Sequence, residues 1–347
     1  MISWLVRISI LVVCFAGVWL NRTHRINDLS AIRYDQDQLI LRNGLGVTEL
    51  SDLMQSEGFA FNSQEFKWVA KIQGWKNFKA GHYLIPAASG YEAFLSKLGR
   101  GLQDPVTYHL RPGQTPGRLA KSFSWSFKAD SAAFIGAILD TAKAQSKGLT
   151  IESLFARMLP ATYELYWDAS PSNIVDRVLR DFDTRTASMA KGSSGLNLNE
   201  ALILASIVEW EAAKDDEKPK IAGLYVNRLN RRMRLQADPT VSYAIGERRR
   251  LFYDDYRVDH PFNTYKFRGL PPAPINNPSI TSIEAALNPE KHDYLYMVAE
   301  MGGTGYHVFT KTYIDHKKES RKWTKWLREQ YKIREQRELE ENQLEGE

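Results

Sequence analysis

Cysteine is all but missing: the 347-residue chain has one, Cys14. That excludes a disulfide framework, a cysteine zinc site and an iron–sulfur cluster. It leaves the compartment open. The 7 histidines fall at no metal-ligand spacing, and His307 and His316 read as structural. There is no phosphate loop, no Gly-x-Gly-x-x-Gly and no Gly-x-Ser-x-Gly elbow. Neither sign of charge dominates, with 46 basic and 41 acidic side chains and a net charge of +5. So mild a bias gives no support for a nucleic-acid partner. Arg228, Arg231, Arg232, Arg234 and the run Arg248-Arg249-Arg250 stand near Asp215, Asp216, Glu217, Asp254 and Asp255. Together they read as a solvated, salt-bridged surface.

Long apolar runs are absent too, with one exception at the start. Ile8 to Leu20 reads ISILVVCFAGVWL. Extended back to Ile2 it spans about 19 residues, roughly 28 Å as a helix, close to the thickness of a bilayer core. Trp4 and Trp19 sit where interfacial aromatics belong, and Arg7 would snorkel. A cleaved signal would need small residues before the cut, and Val18-Trp19-Leu20-Asn21 offers a poor site. A lipoprotein signal would need a small residue before Cys14, where Val13 stands. An uncleaved anchor over 1–25 is the reading adopted, against a buried core helix. Arg7 precedes the apolar core and Arg22 and Arg25 follow it, so charge gives no vote on orientation. Everything after about residue 25 is expected to be soluble.

What remains is ordinary globular material: 43% hydrophobic, 12% aromatic and 25% charged. The length suggests roughly two domains, or three. Residues 37–101 read as a small α+β unit. It has a strand over Gln38–Leu41, a turn at Asn43-Gly44-Leu45-Gly46 and a helix over Val47–Gly58 with Thr48 as N-cap. A second helical stretch covers Phe66–Ile72. Turn, strand and stop follow over Phe78–Pro86, then a third helix over Tyr91–Leu98. Residues 102–190 read as mainly helical after a strand near Val106. Lys191-Gly192-Ser193-Ser194-Gly195 is a break, 191–325 a larger mixed α/β domain, and 326–347 a charged helical tail.

The chemistry concentrates after the break. Asn197 can cap a helix, with Glu200 at the capping-box spacing. Ala201–Val208 is then apolar on every side, the mark of a buried helix. Glu209 ends it on the face of Leu202, Ala205, Ser206 and Ala213. A carboxyl on such a face is desolvated, which disfavours its anion and raises its pKa. Cleavage of a glycosidic bond needs an acid of that kind. Glu211 stands on the opposite side, among Leu204 and Ile207, and periodicity does not choose between the two. Asp238-Pro239 reads as an N-cap followed by proline at the first helical position, with Gly246 as the stop.

The same region carries a string of motifs. Ala205-Ser206-Ile207-Val208-Glu209-x-Glu211 is followed by Val226-Asn227-Arg228-Leu229. Met233-Arg234-Leu235-Gln236-x-Asp238-Pro239-Thr240-Val241-x-Tyr243 comes next. Asn263-Thr264-Tyr265, Gly269-Leu270-Pro271-Pro272-x-Pro274-Ile275 and Asn277-Pro278 follow. Tyr294-Leu295-Tyr296-x-Val298-Ala299 and His307-x-Phe309 complete the series. In order and spacing these resemble the MltG (YceG-like) family of endolytic murein transglycosylases, densely over 200–316 and more loosely over 37–190. There Lys79-Ala80-Gly81-x-Tyr83 resembles the family's LysM-like domain. One departure is Ala161 in Met158-Leu159-Pro160-Ala161-Thr162-Tyr163, where the family has an Asp. Another is Trp210, where a polar residue is usual.

The resemblance implies an α+β protein with an N-terminal transmembrane helix, a LysM-like domain and a catalytic domain whose Glu sits on a buried helix. It implies a single-pass bacterial inner-membrane protein with its soluble part outside the cytoplasm, acting on nascent peptidoglycan strands and working beside peptidoglycan synthases. Glu209 matches the catalytic Glu, cleaving with formation of a 1,6-anhydro end and with no metal or cofactor. Gln236, Asp238, Asn263, Tyr265, His307 and Glu211 match positions lining the substrate groove. Two alternatives stay open: a hydrolytic muramidase using Asp238 or Glu211 as second acid, and a non-catalytic glycan-binding scaffold for cell-wall synthases.

Overall fold

The computed structural model describes residues 2–189 and 192–344. Lys191, the first residue of the expected break, lies outside them. The protein is mixed α/β, and the chain divides into two compact units. The first comprises 1–108, 123–130 and 163–170, and the second comprises 109–122, 131–162 and 171–347.

Helix α1 (Ile2–Asn27) opens the chain. Val6–Ile26, 21 residues, is long and apolar enough to cross a membrane, and Leu11, Val13, Phe15 and Leu20 are exposed along it. Its last turn faces inward. Ile26 is buried, and Arg25 pairs with Glu65 and lies over the Trp68 ring.

Short strands and helices follow: β1 (Ile32–Arg33), β2 (Gln38–Leu41), β3 (Leu45–Gly46), α2 (Val47–Ser56), β4 (Ala60–Phe61), α3 (Ser63–Gln73), β5 (Asn77–Phe78), β6 (Gly81–Leu84), β7 (Ala88–Ser89) and α4 (Tyr91–Arg100). β1 lies between β4 and β7, β2 pairs with β6 and β3 with β5, each pair antiparallel. β2 alternates exposed and buried, so Leu39 and Leu41 enter a core with Leu50, Met54, Phe66, Val69, Phe94 and Leu98. Two local expectations are corrected. Leu45-Gly46 is strand, drawn out of the turn by pairing with Asn77-Phe78. Gly46, not Thr48, holds the N-cap of α2, because Glu49 reaches back to accept from Gly46 N at 2.8 Å.

Beyond them come β8 (Val106–His109), α5 (Pro116–Ser126), α6 (Ser131–Ile138), α7 (Thr141–Ser146), α8 (Ile151–Phe155), β9 (Thr162–Leu165) and α9 (Pro171–Thr186). β9 interrupts a stretch expected to be mainly helical. It pairs with β8, far earlier in the chain, a partner that local pattern does not reveal.

The second unit is built on α10 (Leu198–Glu211). Asn197 accepts from Glu200 N and the Glu200 carboxylate accepts from Asn197 N, so the capping box forms as expected. Ala201, Leu202, Leu204, Ala205, Ile207 and Val208 are all buried. Around it pack α11 (Lys218–Asn230), α12 (Asp238–Ile245) and α13 (Ile280–Leu287), with the hairpin β10 (Tyr296–Ala299) and β11 (His307–Thr310). Helix α14 (Tyr313–Leu344) closes the chain. Ser206 is the buried polar exception inside α10, and both its polar groups are engaged. Its Oγ accepts from Ile275 N at 3.0 Å and its carbonyl accepts from Asn276 Nδ2 at 2.7 Å. These bonds press the proline-rich loop 271–278 onto the helix.

Candidate active site

The C-terminal end of α10 carries two carboxyls, which the structure sends to different surroundings. Glu209 has little of its side chain exposed, 9%. One oxygen, Oε2, accepts from Ser279 N at 3.0 Å, Ser279 Oγ at 2.5 Å, Ser282 Oγ at 2.6 Å and Lys218 Nζ at 3.3 Å. Ser279 is the N-cap of α13. Glu209 therefore meets the amide end of that helix, where negative charge is favoured. Lys218 is buried and also holds Asp215 at 2.7 Å. This cluster ties α10, α11 and α13 together.

Glu211 enters a cavity of about 360 Å³ with Gln236, Asp238 and Tyr265. Burial, and then the negative charge of Asp238, push the Glu211 carboxyl up from 4.5 to about 8, against the pull of Arg228. It is an acid that still holds its proton at neutral pH. Asp238 is anchored on both oxygens. Tyr265 Oη donates to Oδ1 at 2.6 Å and Tyr256 Oη to Oδ2 at 3.2 Å. Burial and the same carboxylate hold both phenols above their ordinary value, Tyr256 at about 12. Asp238 is not the helix cap expected from its sequence. It is the first residue of α12, Ala237 takes the N-cap place, and no side chain caps it. The tyrosines have claimed the carboxylate. Gly246 does stop the helix, at φ 77°.

Gln236 reaches the cavity from a left-handed backbone, φ 50°. For a residue with a Cβ this costs on the order of 1 kcal/mol, and such strain tends to gather at functional sites. Neighbouring bonds hold it: Gln236 N donates to Thr264 O at 3.2 Å and Ala237 N to Thr264 Oγ1 at 3.0 Å. Asn263 is fully buried and is not among the lining residues. Its Nδ2 donates to the carbonyls of Tyr256 and Val258, and its Oδ1 accepts from Tyr265 N. It shapes the loop that delivers both tyrosines. His307 is also outside the cavity, with its backbone N and its Nδ1 both 2.7 Å from the buried Glu217.

Sequence reasoning missed Arg228, Tyr225, Tyr296, Tyr313 and His316, which line the cavity together with Leu224 and Met297. Arg228 was read as solvated, and it is buried. Its Nε donates to Leu295 O at 2.6 Å, its Nη1 donates to Leu235 O, and its guanidinium lies over Tyr296. His316 stacks on Tyr296, and burial and Arg228 hold its imidazole below its ordinary value. The repeated aromatics of Tyr294-Leu295-Tyr296 were the signal available. Among the described residues no group of His, Cys, Asp and Glu could hold a metal ion.

A half-buried carboxyl with a raised pKa, and a carboxylate beside it in a polar cavity, are suited to acid–base chemistry. Comparison of the whole chain narrows the class. The chain belongs to the YceG-like family, whose model matches residues 39–322. A Bacillus subtilis (strain 168) protein named endolytic murein transglycosylase is 32% identical over 302 residues, 81% of this chain and 83% of that one. A Streptococcus pneumoniae (strain D39) protein of the same name is 30% identical over 340 residues, 86% of this chain and 61% of that one. The crystal structure of a YceG-like protein from Listeria monocytogenes has a TM-score of 0.56 at 30% identity, covering 81% of this chain and 98% of that one.

Proposed function

We propose that this chain is an endolytic murein transglycosylase. It cuts the β-1,4 bond between N-acetylmuramic acid and N-acetylglucosamine inside glycan strands and leaves a 1,6-anhydro end, so limiting strand growth. Family membership supports the class. The placement of Glu211 in the cavity with Asp238, where burial raises its pKa, is what carries the chemistry.

Glu211 gives its proton to the glycosidic oxygen. The bond to C1 of the muramic sugar breaks and positive charge develops on that ring. Asp238, fixed by Tyr265 and Tyr256, supplies a nearby negative charge. The Glu211 carboxylate then takes the proton of the C6 hydroxyl, whose oxygen closes on C1. No water is consumed. The nucleophile belongs to the same sugar, so its effective concentration is high. Glu209, the residue that the family resemblance favoured, is read here as the structural partner of Ser279, Ser282 and Lys218. Gln236 and Tyr265 are read as substrate contacts, and Asn263 and His307 as supports of the surrounding loops.

The wider setting belongs to the same proposal. Helix α1 crosses the bacterial inner membrane once, with the remainder outside the cytoplasm, within reach of peptidoglycan synthases. The antiparallel pair β3 and β5, with α2, the two-residue β4 and α3 between them, supports a LysM-like, glycan-binding reading of 37–101.

A second reading has one observation in its favour: Glu211 and Asp238 line the same cavity, as the two acids of a hydrolytic muramidase would. The experiment is digestion of purified peptidoglycan by the detergent-solubilised full chain, with mass spectrometry of the product ends. Anhydro ends support transglycosylation, and reducing ends, heavier by one water, support hydrolysis. Intact strands would leave only the glycan-binding scaffold. In the same assay, loss of cleavage in Glu211→Gln with activity kept in Glu209→Gln assigns the acid. The reverse pattern would return it to Glu209.

A further inference from the structure

Trp210 stands between the two glutamates at the end of α10. Its Nε1 donates to Gly113 O at 2.9 Å. The Arg248 guanidinium lies over its ring, 4.4 Å from the centroid. Gly113 has φ 65°, and a Cβ there would come within 3.0 Å of Trp210 Nε1. The turn is moulded onto the indole. Helix α5 starts three residues further on and carries Arg118 in its first turn. Arg118 and Arg248 are both exposed. Among the described residues neither forms an ion pair, although Arg249, next in the chain, is held by Glu247 and Asp255. Arg248 is held below its ordinary value by partial burial and by the charge of Arg118. Two exposed guanidiniums, one lying over an indole and neither given a carboxylate, form a site that lacks an anion.

We propose that Trp210, Arg248 and Arg118 form a subsite for the carboxylates of the peptide stems on the glycan strand. This rests on the reading of the chain as a strand-cutting enzyme. Every muramic sugar bears a short peptide with free carboxylates. A guanidinium fork takes a carboxylate through two parallel hydrogen bonds, and stacking on Trp210 sets the Arg248 fork in advance. A phosphate would suit the same forks, and the pyrophosphate of a lipid-linked strand is the other source. An enzyme that cuts within a strand meets stems at every cut, and the pyrophosphate only at one end. That favours the stems.

The test uses the full chain in detergent and three substrates: strands with native stems, strands whose stem carboxylates have been amidated, and lipid-linked strands. The wild type is expected to prefer native over amidated strands by about tenfold in kcat/KM, or about 1.4 kcal/mol. This preference should shrink as salt rises. The double variant Arg118→Gln, Arg248→Gln is expected to lose most of it. Arg248→Lys, which keeps the charge without the fork, is expected to fall between. An equal preference in wild type and double variant overturns the proposal. So does a preference, lost in the double variant, that is confined to lipid-linked strands. Failure of the wild type to cut any of the three would bring down the enzymatic reading itself, a result seen separately from loss of selectivity.

Discussion

Tyr265 donates its phenolic hydrogen to Asp238 Oδ1 across 2.6 Å, and both residues line the cavity that Glu211 enters. The bond joins positions 27 residues apart and holds the Asp238 carboxylate in the cavity with the Glu211 carboxyl. The polarity of the pair is set by surroundings: Glu211 is desolvated, while Asp238 is exposed and satisfied by two phenols.

Replacing Glu211 by Gln should abolish cleavage, a loss of about a hundredfold or more for a general acid, yet stabilise the fold. The sign follows from the shift. The folded value, about 8, lies above the ordinary 4.5. The native state therefore holds more protons than the unfolded chain between these values, and stability falls as pH rises through that window. Below about 4.5 the penalty is absent, and above about 8 it is complete, on the order of a few kcal/mol. The Gln variant escapes it. Its melting temperature should exceed that of the wild type by more at about pH 8.5 than at about pH 5. A gap that does not change with pH would mean Glu211 is not the proton holder.

Asp238→Asn leaves the burial of Glu211 in place and removes the negative neighbour that adds to its upward shift. The alkaline limb of kcat/KM, expected near about pH 8 in the wild type, should move to lower pH. Tyr265→Phe should move it less, since Tyr256 still holds the carboxylate. A pH–rate series on the three proteins measures this. An unmoved limb in Asp238→Asn would sever Asp238 from the titration.

Glu209→Ala should act through stability. It removes the acceptor shared by Ser279, Ser282 and the buried Lys218. Breaking a buried charged cluster from one side costs about 3 to 5 kcal/mol. Asp215, still 2.7 Å from Lys218, should soften that towards the lower figure. Denaturant midpoints check it, together with a fall in the melting temperature opposite in sign to that of Glu211→Gln. Wild-type stability in the variant would remove the structural role given to Glu209.

The contrast between these glutamates marks where sequence stops being informative. The helix itself was legible: Asn197 and Glu200 close its capping box, and its all-round apolar run is buried. Legible too was the stop at Gly246, because a left-handed residue there favours glycine. The two carboxyls share one helix end, and their neighbours come from far along the chain: Ser279 and Ser282 for Glu209, Asp238 and Arg228 for Glu211. No local period encodes those meetings. Asp238 misled for the same reason. Asp-Pro has a strong local meaning as a helix start, and two distant tyrosines outweighed the cap. Arg228 looked solvated among other arginines until carbonyls of Leu235 and Leu295 closed over it.

Asn277 gives the last test, of the loop that backs the site. It is fully buried. Its Nδ2 donates to Arg111 O at 3.1 Å and Met158 O at 3.0 Å, and its Oδ1 accepts from Gln114 N at 2.6 Å. Its own carbonyl accepts from Gly113 N at 2.9 Å. Asn277→Ala strands three polar groups, two of them carbonyls that lose their donor. At about 1 to 3 kcal/mol for each buried group left unpaired, the loss should be several kcal/mol where water cannot enter. Because Gly113 O also receives the Trp210 indole, slackening of this turn should loosen Trp210. Tryptophan fluorescence would be muddied by the other eight of the 9 indoles, so the reading should come from Trp210→Phe. If the turn transmits the damage, the Asn277→Ala and Trp210→Phe losses in melting temperature should combine to less than their sum. Strict additivity would mean that Asn277 and Trp210 hold the turn independently.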